Sequence, residues 1–194
     1  MDLYAEALSR FDDVYGRAAN CGVAEPSAVT LATADAGGRP SARTVLLKHF
    51  DQRGFVFYTN LRSRKGIELQ ANPRAALCFF WLPLAEQVHV EGIAAQVPDD
   101  EADAYWRTRD RESQIGAWAS LQSEPLQDRD ALEQRVQQFE SDYEGKDVPR
   151  PTHWSGFCLV PNRIEFWCSG AHRLHERTEY TMTKEEWSKT LLFP

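Results

Sequence analysis

The feature that most constrains this 194-residue chain is a series of short strand-like segments separated by turn residues. β-Branched, aromatic and alternating apolar residues mark SAVTLATAD (27–35), PSARTVLLKHFD (40–51) and FVFYTN (55–60), with Gly37-Gly38 and Arg53-Gly54 as turn signals between them. Strands joined by such short turns pair in antiparallel fashion, so this region is predicted to be a meander of hairpins.

Further segments extend the pattern along the chain. Strands are predicted at 74–83, 87–97, 156–170 and 172–184. Apolar residues at helical spacing predict helices at 2–20, 63–72, 99–120 (as two helices) and 128–145, with a linker at 147–154. The predicted fold is therefore mainly β with α: an antiparallel barrel in a single domain, residues 1–194, with an N-terminal helix (1–20) and a helical insertion (99–145).

Composition and missing motifs exclude several classes of protein. The net charge of −7 argues against nucleic acid as a partner. No signal peptide or membrane-spanning run is recognised, and the four dispersed cysteines are interpreted as reduced thiols, which favours a cytoplasmic protein. The chain has no GxGxxG, GxxxxGK[ST], HExxH or GxSxG motif, and no metal site is predicted.

One short segment gathers cations in this acidic chain. If HRLHER (172–177) is a strand, Arg173, His175 and Arg177 share one face, since side chains alternate along a strand. Like charges at that spacing repel, so either an anion lies over them or water solvates them. Trp167, shortly before, would suit a planar anionic ligand; a structural tryptophan beside salt-bridged arginines is the alternative.

Two helical segments carry similar signals. Arg64 and Lys65 follow Ser63 at the start of a predicted helix, where the helix dipole favours an anion; a solvated basic turn explains them equally well. Tyr105, Arg109 and Ser113 are spaced i, i+4 and i+8, which on one helix would form a donor row suited to a phosphate. An exposed helix with internal ion pairs is the alternative for that row. Two phosphates bound close together would explain the excess of cations.

At this point the motifs resemble those of a known family. They are RTVLLKHFD, GFVFYTNLRSRKG, NPRAALCFFW, EQVHVEG, RDRESQIGAWASLQS and IEFWCSGAHRLHER, and together they extend from about Ala24 to Pro194. The chain resembles the pyridoxine/pyridoxamine 5′-phosphate oxidases. The resemblance implies a split antiparallel barrel, a homodimer, and FMN bound in clefts between the subunits. It also implies oxidation of pyridoxamine or pyridoxine 5′-phosphate to pyridoxal 5′-phosphate by dioxygen, with release of hydrogen peroxide.

The resemblance also assigns residues position by position. The implied FMN contacts are Arg43, Thr44, Val45, Leu46, Leu47, Lys48, Tyr58, Thr59, Ser63, Arg64, Lys65, Gln87, Gln122, Ser123, Trp167 and Arg177. The implied substrate contacts are Lys48, Tyr105, Arg109, Ser113, Arg173 and His175, and the last two are the implied catalytic residues, which would orient the reacting group. Two alternatives stay open: a flavin oxidase of the same fold with another substrate, as in phenazine biosynthesis, and a non-catalytic flavin- or pyridoxal-phosphate-binding protein.

Overall fold

A computed structural model describes residues 2–194, and within that range the chain forms nine β-strands and five α-helices. The strands are β1 (Ala28–Ala34), β2 (Pro40–Leu46), β3 (His49–Asp51), β4 (Gly54–Asn60), β5 (Arg74–Trp81), β6 (Glu86–Gln96), β7 (Trp154–Cys168), β8 (Glu176–Thr183) and β9 (Glu186–Leu192). The helices are α1 (Leu3–Asn20), α2 (Arg64–Ala71), α3 (Asp99–Thr108), α4 (Arg111–Ala119) and α5 (Arg129–Asp142).

All strand pairs are antiparallel, in the order β2-β1-β5-β6-β7-β4-β3, with β8 and β9 branching from β7. Strand β7 has 15 residues: β6 pairs with it from Phe157 to Cys168, β4 pairs with its first part and β8 with its last part. The sheet curls into a half-barrel, so the predicted split antiparallel barrel is confirmed. Because β7 changes partners midway, its two ends face different parts of the molecule.

A bulge at Gly92 marks the point where β7 changes partner. The register between β6 and β7 shifts between Glu91 and Gly92, opposite Pro161. A Cβ atom at Gly92 would lie 2.0 Å from the carbonyl oxygen of Val160, so no larger residue fits without moving the backbone. Bulges bend a strand and increase its local twist, and this one lies between the part of β7 that pairs with β4 and the part that pairs with β8.

Helix α1 packs its apolar stripe against the barrel. Phe11 is fully buried, and its ring centroid lies 4.8 Å from that of Phe50, 4.9 Å from Phe55 and 5.1 Å from Phe79, in edge-to-face contacts. Such pairs add to the stabilisation that burial gives. A smaller cluster around Trp106, built by α3, α4 and the chain before β7, forms a second packing centre beside the barrel.

The structure corrects two predicted strands and adds a third that was not predicted. The strand predicted at 40–51 is two strands, interrupted where the backbone N–H groups of Leu47 and Lys48 donate to Ser27 and Val56. The strand predicted at 172–184 begins only at Glu176, and the preceding residues form a turn. Strand β9 was missed because its side chains are mostly polar and exposed, so its sequence shows no apolar alternation.

Three further findings concern residues 2–194 as described. None of their helices is long and apolar enough to cross a membrane. All four cysteines, Cys21, Cys78, Cys158 and Cys168, carry free thiols. No three His, Cys, Asp or Glu side chains in that range are grouped so that they could hold a metal ion.

The packing of α1 predicts a large loss of stability in Phe11→Ala. Truncating a fully buried phenylalanine removes its apolar contacts and leaves a cavity, so the free energy of unfolding should fall by about 3–5 kcal/mol. Urea denaturation measures this directly. The control is Leu126→Ala, at a half-exposed loop residue, which should change stability by less than about 0.5 kcal/mol. Equal effects of the two substitutions would contradict the packing described for α1.

Candidate active site

A cavity of about 680 Å³ opens between the edge of the barrel and helices α3 and α4. Its lining residues come from β2, β4, the start of α2 and the helical insertion, and they are Thr44, Val45, Leu46, Lys48, Tyr58, Thr59, Asn60, Lys65, Tyr105, Thr108, Arg109, Asp110, Ser113, Gly116, Ala117, Ser120, Gln122 and Trp154. A larger groove of about 810 Å³ lies between α4 and the end of α5, but it is more open and contains none of the predicted site residues. The smaller cavity is therefore the candidate site.

A stack of three aromatic rings supports one wall of the cavity. The rings of Tyr58, Tyr105 and Trp154 have nearly parallel planes. The centroid of Tyr58 lies 4.0 Å from that of Tyr105 and 5.2 Å from that of Trp154, and the Tyr105 and Trp154 centroids are 6.2 Å apart. Burial raises the pKa of Tyr58 to about 12 and also raises that of Tyr105, so both phenols stay neutral and can donate hydrogen bonds. The stack spans β4, α3 and β7, which holds the three elements in fixed relation.

Arg109 lies against this stack and has no carboxylate partner among residues 2–194. Its guanidinium carbon is 4.8 Å from the ring centroid of Trp154 and 5.2 Å from that of Trp106. Within the described residues, Nη1 of Arg109 is buried and has no hydrogen-bond partner. Burial lowers the pKa of Arg109, although a guanidinium still keeps its proton at neutral pH. A buried cationic donor without a partner is costly, so this atom indicates an anionic ligand.

A second cationic corner lies at the start of α2. The Ser63 hydroxyl caps the helix by accepting from the N–H of Gly66, and Nζ of Lys65 donates to Ser63 and, at 2.8 Å, to Oε1 of Gln122. Both acceptors are neutral. Burial, with Arg43 nearby, lowers the pKa of Lys65 to about 8. The predicted helix start is confirmed, and its donors and positive charge favour an anion there.

The loop after α4 approaches this helix start. The hydroxyl of Ser123 accepts from the backbone N–H of Arg64 at 3.1 Å, and Ser123 adopts a left-handed backbone with φ of 75°. Non-glycine residues rarely adopt this conformation, and such outliers concentrate at functional sites. The loop therefore brings Gln122 and Ser123 to the first turn of α2.

The remaining predicted residues form a second group, at the other end of β7. Gln87, Trp167 and Arg177 are direct cross-strand neighbours on β6, β7 and β8, so their side chains share one face of the sheet. The ring of His175 lies 4.6 Å from that of Trp167. Arg177 donates to Glu165 at 2.7 Å and to the carbonyl oxygen of Phe193, and the bond to Glu165 raises the pKa of Arg177.

The expectation that HRLHER is a strand is wrong. Residues Ala171–Arg173 form a 3-10 turn, and His172 and Arg173 have positive φ values of 55° and 65°. Arg173 and His175 therefore do not follow the alternation of a strand, and only Arg177 lies in β8. The turn directs the His175 ring back, so that its Nδ1 accepts from the N–H of Gly170 at 3.2 Å. In neutral His175 the proton is then on Nε2.

The prediction that Tyr105, Arg109 and Ser113 form a row on one helix is also wrong. Helix α3 ends at Thr108, Arg109 has an extended backbone, and α4 begins at Arg111 after the cap residue Asp110. The three residues still line the same cavity, because the break turns α4 back toward Tyr105. Their convergence comes from the end of α3, the extended residue Arg109 and the start of α4, and not from i, i+4 spacing.

The predicted set is thus divided by the structure. Thr44, Val45, Leu46, Lys48, Tyr58, Thr59, Lys65, Tyr105, Arg109, Ser113 and Gln122 line the cavity. Arg43, Ser63, Arg64 and Ser123 lie around the start of α2 beside it, and the Leu47 side chain is buried in the core. Gln87, Trp167, Arg173, His175 and Arg177 do not line it. They are separated from Trp154 by most of β7, about 40 Å of extended chain.

Sequence analysis missed Trp154 and Asn60 as lining residues. Trp154 was assigned to a linker, yet it begins β7, pairs with Asn60 and stacks on Tyr58. A tryptophan directly after a proline-containing segment was the available signal. Asn60 accepts from the backbone N–H of Arg62 at 2.8 Å and so shapes the turn into α2.

Comparison with known families covers both halves of the chain. Residues 17–142 match the family model described as pyridoxamine 5′-phosphate oxidase. Residues 154–194 match the model described as the pyridoxine 5′-phosphate oxidase C-terminal dimerisation region, which indicates a homodimer. The second model covers β7, β8 and β9, and therefore contains Trp167, Arg173, His175 and Arg177.

Individual relatives are similar over nearly their whole length. A pyridoxine/pyridoxamine 5′-phosphate oxidase from Alkalilimnicola ehrlichii is 56% identical, with 100% of both chains covered. One from Myxococcus xanthus is 54% identical, over 97% of this chain and 92% of the relative. One from Xanthomonas campestris is 53% identical, over 100% and 99%.

Solved structures agree with these matches. PhzG from Burkholderia lata 383, solved in complex with tetrahydrophenazine-1-carboxylic acid, has a TM-score of 0.91 and 33% identity, with coverage of 96% of this chain and 92% of PhzG. A related FMN-binding protein from Nostoc punctiforme has a TM-score of 0.77, 18% identity and 96% coverage of both chains, which shows a shared fold. On this evidence the chain belongs to the pyridoxine/pyridoxamine 5′-phosphate oxidase family of enzymes.

Proposed function

We propose that this enzyme binds FMN and oxidises pyridoxamine or pyridoxine 5′-phosphate to pyridoxal 5′-phosphate. In the overall reaction the alcohol and dioxygen give the aldehyde and hydrogen peroxide; the amine also consumes water and releases ammonia. The observation that carries this proposal is the buried, unpartnered Nη1 of Arg109 in a cavity that also contains Lys65. One cavity thus offers two places for a phosphate: one fits the substrate and the other fits FMN.

The donors around the start of α2 fit the phosphate of FMN. Lys65 has only neutral hydrogen-bond partners within residues 2–194. Arg64 lies in the same helical turn, and the hydroxyl of Ser123 reaches its backbone N–H from the loop after α4. Charge-assisted bonds to a phosphate would satisfy these cations and complement the helix dipole. When bound, FMN supplies the electron acceptor for oxidation at carbon, which no side chain can provide.

The donors around Arg109 fit the phosphate of the substrate. Arg109 offers its buried Nη1, while Lys48, Tyr105 and Ser113 line the same cavity. Because the aromatic stack and the cation–π contacts fix Arg109, the phosphate would be held at a defined point. Binding energy far from the reacting carbon can then orient that carbon, which is how remote contacts accelerate a reaction.

Arg173 and His175 are proposed to orient the reacting group from the opposite side. Both lie on the strained turn before β8, and His175 rests against Trp167. Nε2–H of neutral His175 is available to donate, because Nδ1 is held by Gly170. Arg173 is exposed and unconstrained by ion pairs within residues 2–194, so it can close over a bound ring.

The two groups of residues support a site shared between subunits. The cavity group and the Trp167 group lie at opposite ends of β7, and the second group falls within the dimerisation region of the family. In a twofold dimer, the β7–β8 end of one chain can meet the cavity of its partner, and each of two sites then uses both chains. We therefore propose that FMN binds between the two protomers.

The proposed function is tested by an aerobic assay with pyridoxamine 5′-phosphate. The purified protein should carry a flavin spectrum and produce peroxide and aldehyde in equal amounts. A yellow protein that yields no peroxide with either phosphate ester would instead support a flavin-binding protein without this activity. A protein that stays colourless after FMN is added would contradict both.

A second candidate is oxidation of an unphosphorylated ring, since PhzG is 33% identical and superposes with a TM-score of 0.91. Substitution of Arg109 distinguishes between the two candidate functions. In Arg109→Ala, KM for pyridoxamine 5′-phosphate should rise by about a hundredfold, since a buried charge pair is lost. FMN content should be unchanged. Turnover of unphosphorylated pyridoxamine should be poor and equal in wild type and variant.

The matched control is Arg107→Ala, at an exposed position of α3 that does not line the cavity. It should leave KM within about twofold of wild type. Loss of FMN from Arg109→Ala would show that Arg109 contacts the cofactor and not the substrate. An unchanged KM would favour the second candidate.

The lowered pKa of Lys65 predicts that FMN affinity depends on pH. Its pKa in the free protein is about 8, below the ordinary value, and a bound phosphate dianion would raise that pKa again. Affinity should therefore be full below about pH 8 and fall above it, by about tenfold per pH unit at most, because binding must then take up a proton. Fluorescence titration of the apo-protein with FMN from pH 7 to 9 measures this. Lys65→Arg stays charged and should remove the slope; a slope that persists would contradict the assignment.

A shared site predicts complementation between two variants, measured at a substrate concentration far below the raised KM of Arg109→Ala, where both parent variants are strongly impaired. If Arg109 and Arg173 act in one site but come from different chains, a mixed dimer of Arg109→Ala and Arg173→Ala has one intact site and one doubly altered site. Random mixing should then restore about a quarter of wild-type turnover. If both residues of a site came from the same chain, each site would carry one substitution and mixing would restore nothing.

A further inference from the structure

Glu68 is a buried carboxylate to which the proposed reaction assigns no part. It lies in the second turn of α2, is 5% exposed and does not line the cavity. Oε2 accepts from the hydroxyls of Thr33 at 2.5 Å and Ser41 at 2.6 Å and from Nη2 of Arg43 at 3.1 Å, while Oε1 accepts from Nε of Arg64 at 2.8 Å. Burial alone would raise the pKa of Glu68, but these hydrogen bonds lower it to about 2. The carboxylate therefore stays charged.

These four bonds join the start of α2 to the edge of the barrel. Thr33 is on β1, Ser41 and Arg43 are on β2, and Arg64 is the first residue of the helix. Arg43 is further held by the carbonyl oxygen of Leu31 and the hydroxyl of Thr33. Glu68 is thus the common acceptor that fixes two guanidinium groups from different elements.

The way Glu68 holds Arg64 leaves that guanidinium available. Only Nε is used by the carboxylate, and within residues 2–194 neither Nη atom of Arg64 has a hydrogen-bond partner. The Nη pair is the edge with which arginine binds a phosphate in bidentate fashion. A carboxylate on the Nε edge therefore restricts the side chain without blocking its binding edge.

Charge balance points to the same role. Arg43, Arg64 and Lys65 bring three positive charges to this corner, and Glu68 is the one carboxylate bonded to any of them among the described residues. The excess is two positive charges, equal and opposite to a phosphate dianion. Without Glu68 the three cations would repel one another, and the repulsion between the partly buried Arg43 and Lys65 is stronger than it would be in water.

We propose that Glu68 is a positioning residue for the FMN phosphate, which acts by holding Arg64 and Arg43 in place at the start of α2. This inference rests on the proposed binding of FMN. It predicts an effect confined to the phosphate, since Glu68 does not line the cavity where the rest of the cofactor would lie. Riboflavin, which is FMN without the phosphate, is therefore the matched probe.

The experiment compares FMN and riboflavin binding to the apo-dimer by fluorescence titration. In Glu68→Gln, which keeps the shape and removes the charge, Kd for FMN should rise by about tenfold and Kd for riboflavin should stay within about twofold. Glu124→Gln is the control, because it makes the same change of net charge at an exposed residue of the nearby loop. Its two affinities should match those of wild type.

Three results would overturn the inference. Equal weakening of both ligands would show that Glu68 only stabilises the fold, and tighter FMN binding would show that its charge only repels the phosphate. If Glu68→Gln does not fold, Ser41→Ala removes one of the four donors and should show the same selective loss on a smaller scale. An unchanged preference for FMN over riboflavin in the folded variant would also contradict the role of Glu68.

Failure of the inference and failure of the proposed function are distinguishable in this titration. Wild-type apo-protein should bind FMN much more tightly than riboflavin, whatever the role of Glu68. If wild type binds the two equally, the phosphate site at α2 is absent and the proposed function loses its support. If wild type prefers FMN and Glu68→Gln prefers it to the same degree, only the role of Glu68 is wrong.

Discussion

The structure depends most on partly buried cations to which the described residues supply no opposing charge. Desolvating a guanidinium costs several kcal/mol unless a counter-charge or hydrogen bonds compensate. Within the described residues, Arg109 packs against two aromatic rings and has no carboxylate partner, and Lys65 donates hydrogen bonds only to neutral oxygens. Cation–π contacts offset part of that cost, on the order of 2 kcal/mol. The remainder is recovered when an anion binds, so a bound phosphate should stabilise the folded protein as well as fill the site.

The cations lie in two corners of the cavity, and each corner is formed by different elements of the fold. Strands β2 and β4 and the capped start of α2 provide one cationic corner, and the aromatic stack on Trp154 fixes the other. Glu68 shows why the first corner can be assembled at all: a single buried carboxylate keeps two arginines in place without neutralising the corner. Arg64 keeps its Nη edge free because Glu68 is directed at its Nε edge.

How much of this was predictable differs between elements. The hairpins and the helix start at Ser63 follow from local signals, since turn residues and caps act within a few positions. Two helices were expected over 99–120, but the break at Arg109 was not located. The arrangement of HRLHER does not follow from local signals. Side chains alternate only along an extended backbone, and His172 and Arg173 have a left-handed backbone conformation. Trp154 and Glu68 were missed because their roles come from burial and from contacts with distant segments. The family resemblance supplied the residues, and the structure supplied their division into two groups.

That division gives β7 its significance. Its first residues contribute to the cavity and its last residues carry the group around Trp167, so one chain presents two half-sites at the ends of one strand. A crystal structure with FMN and pyridoxal 5′-phosphate tests this account most directly. It should place one phosphate against Lys65 and Arg64, the other against Nη1 of Arg109, and both ligands between two protomers. Ligand phosphates bound elsewhere, with Nη1 of Arg109 left in contact with water alone, would contradict it.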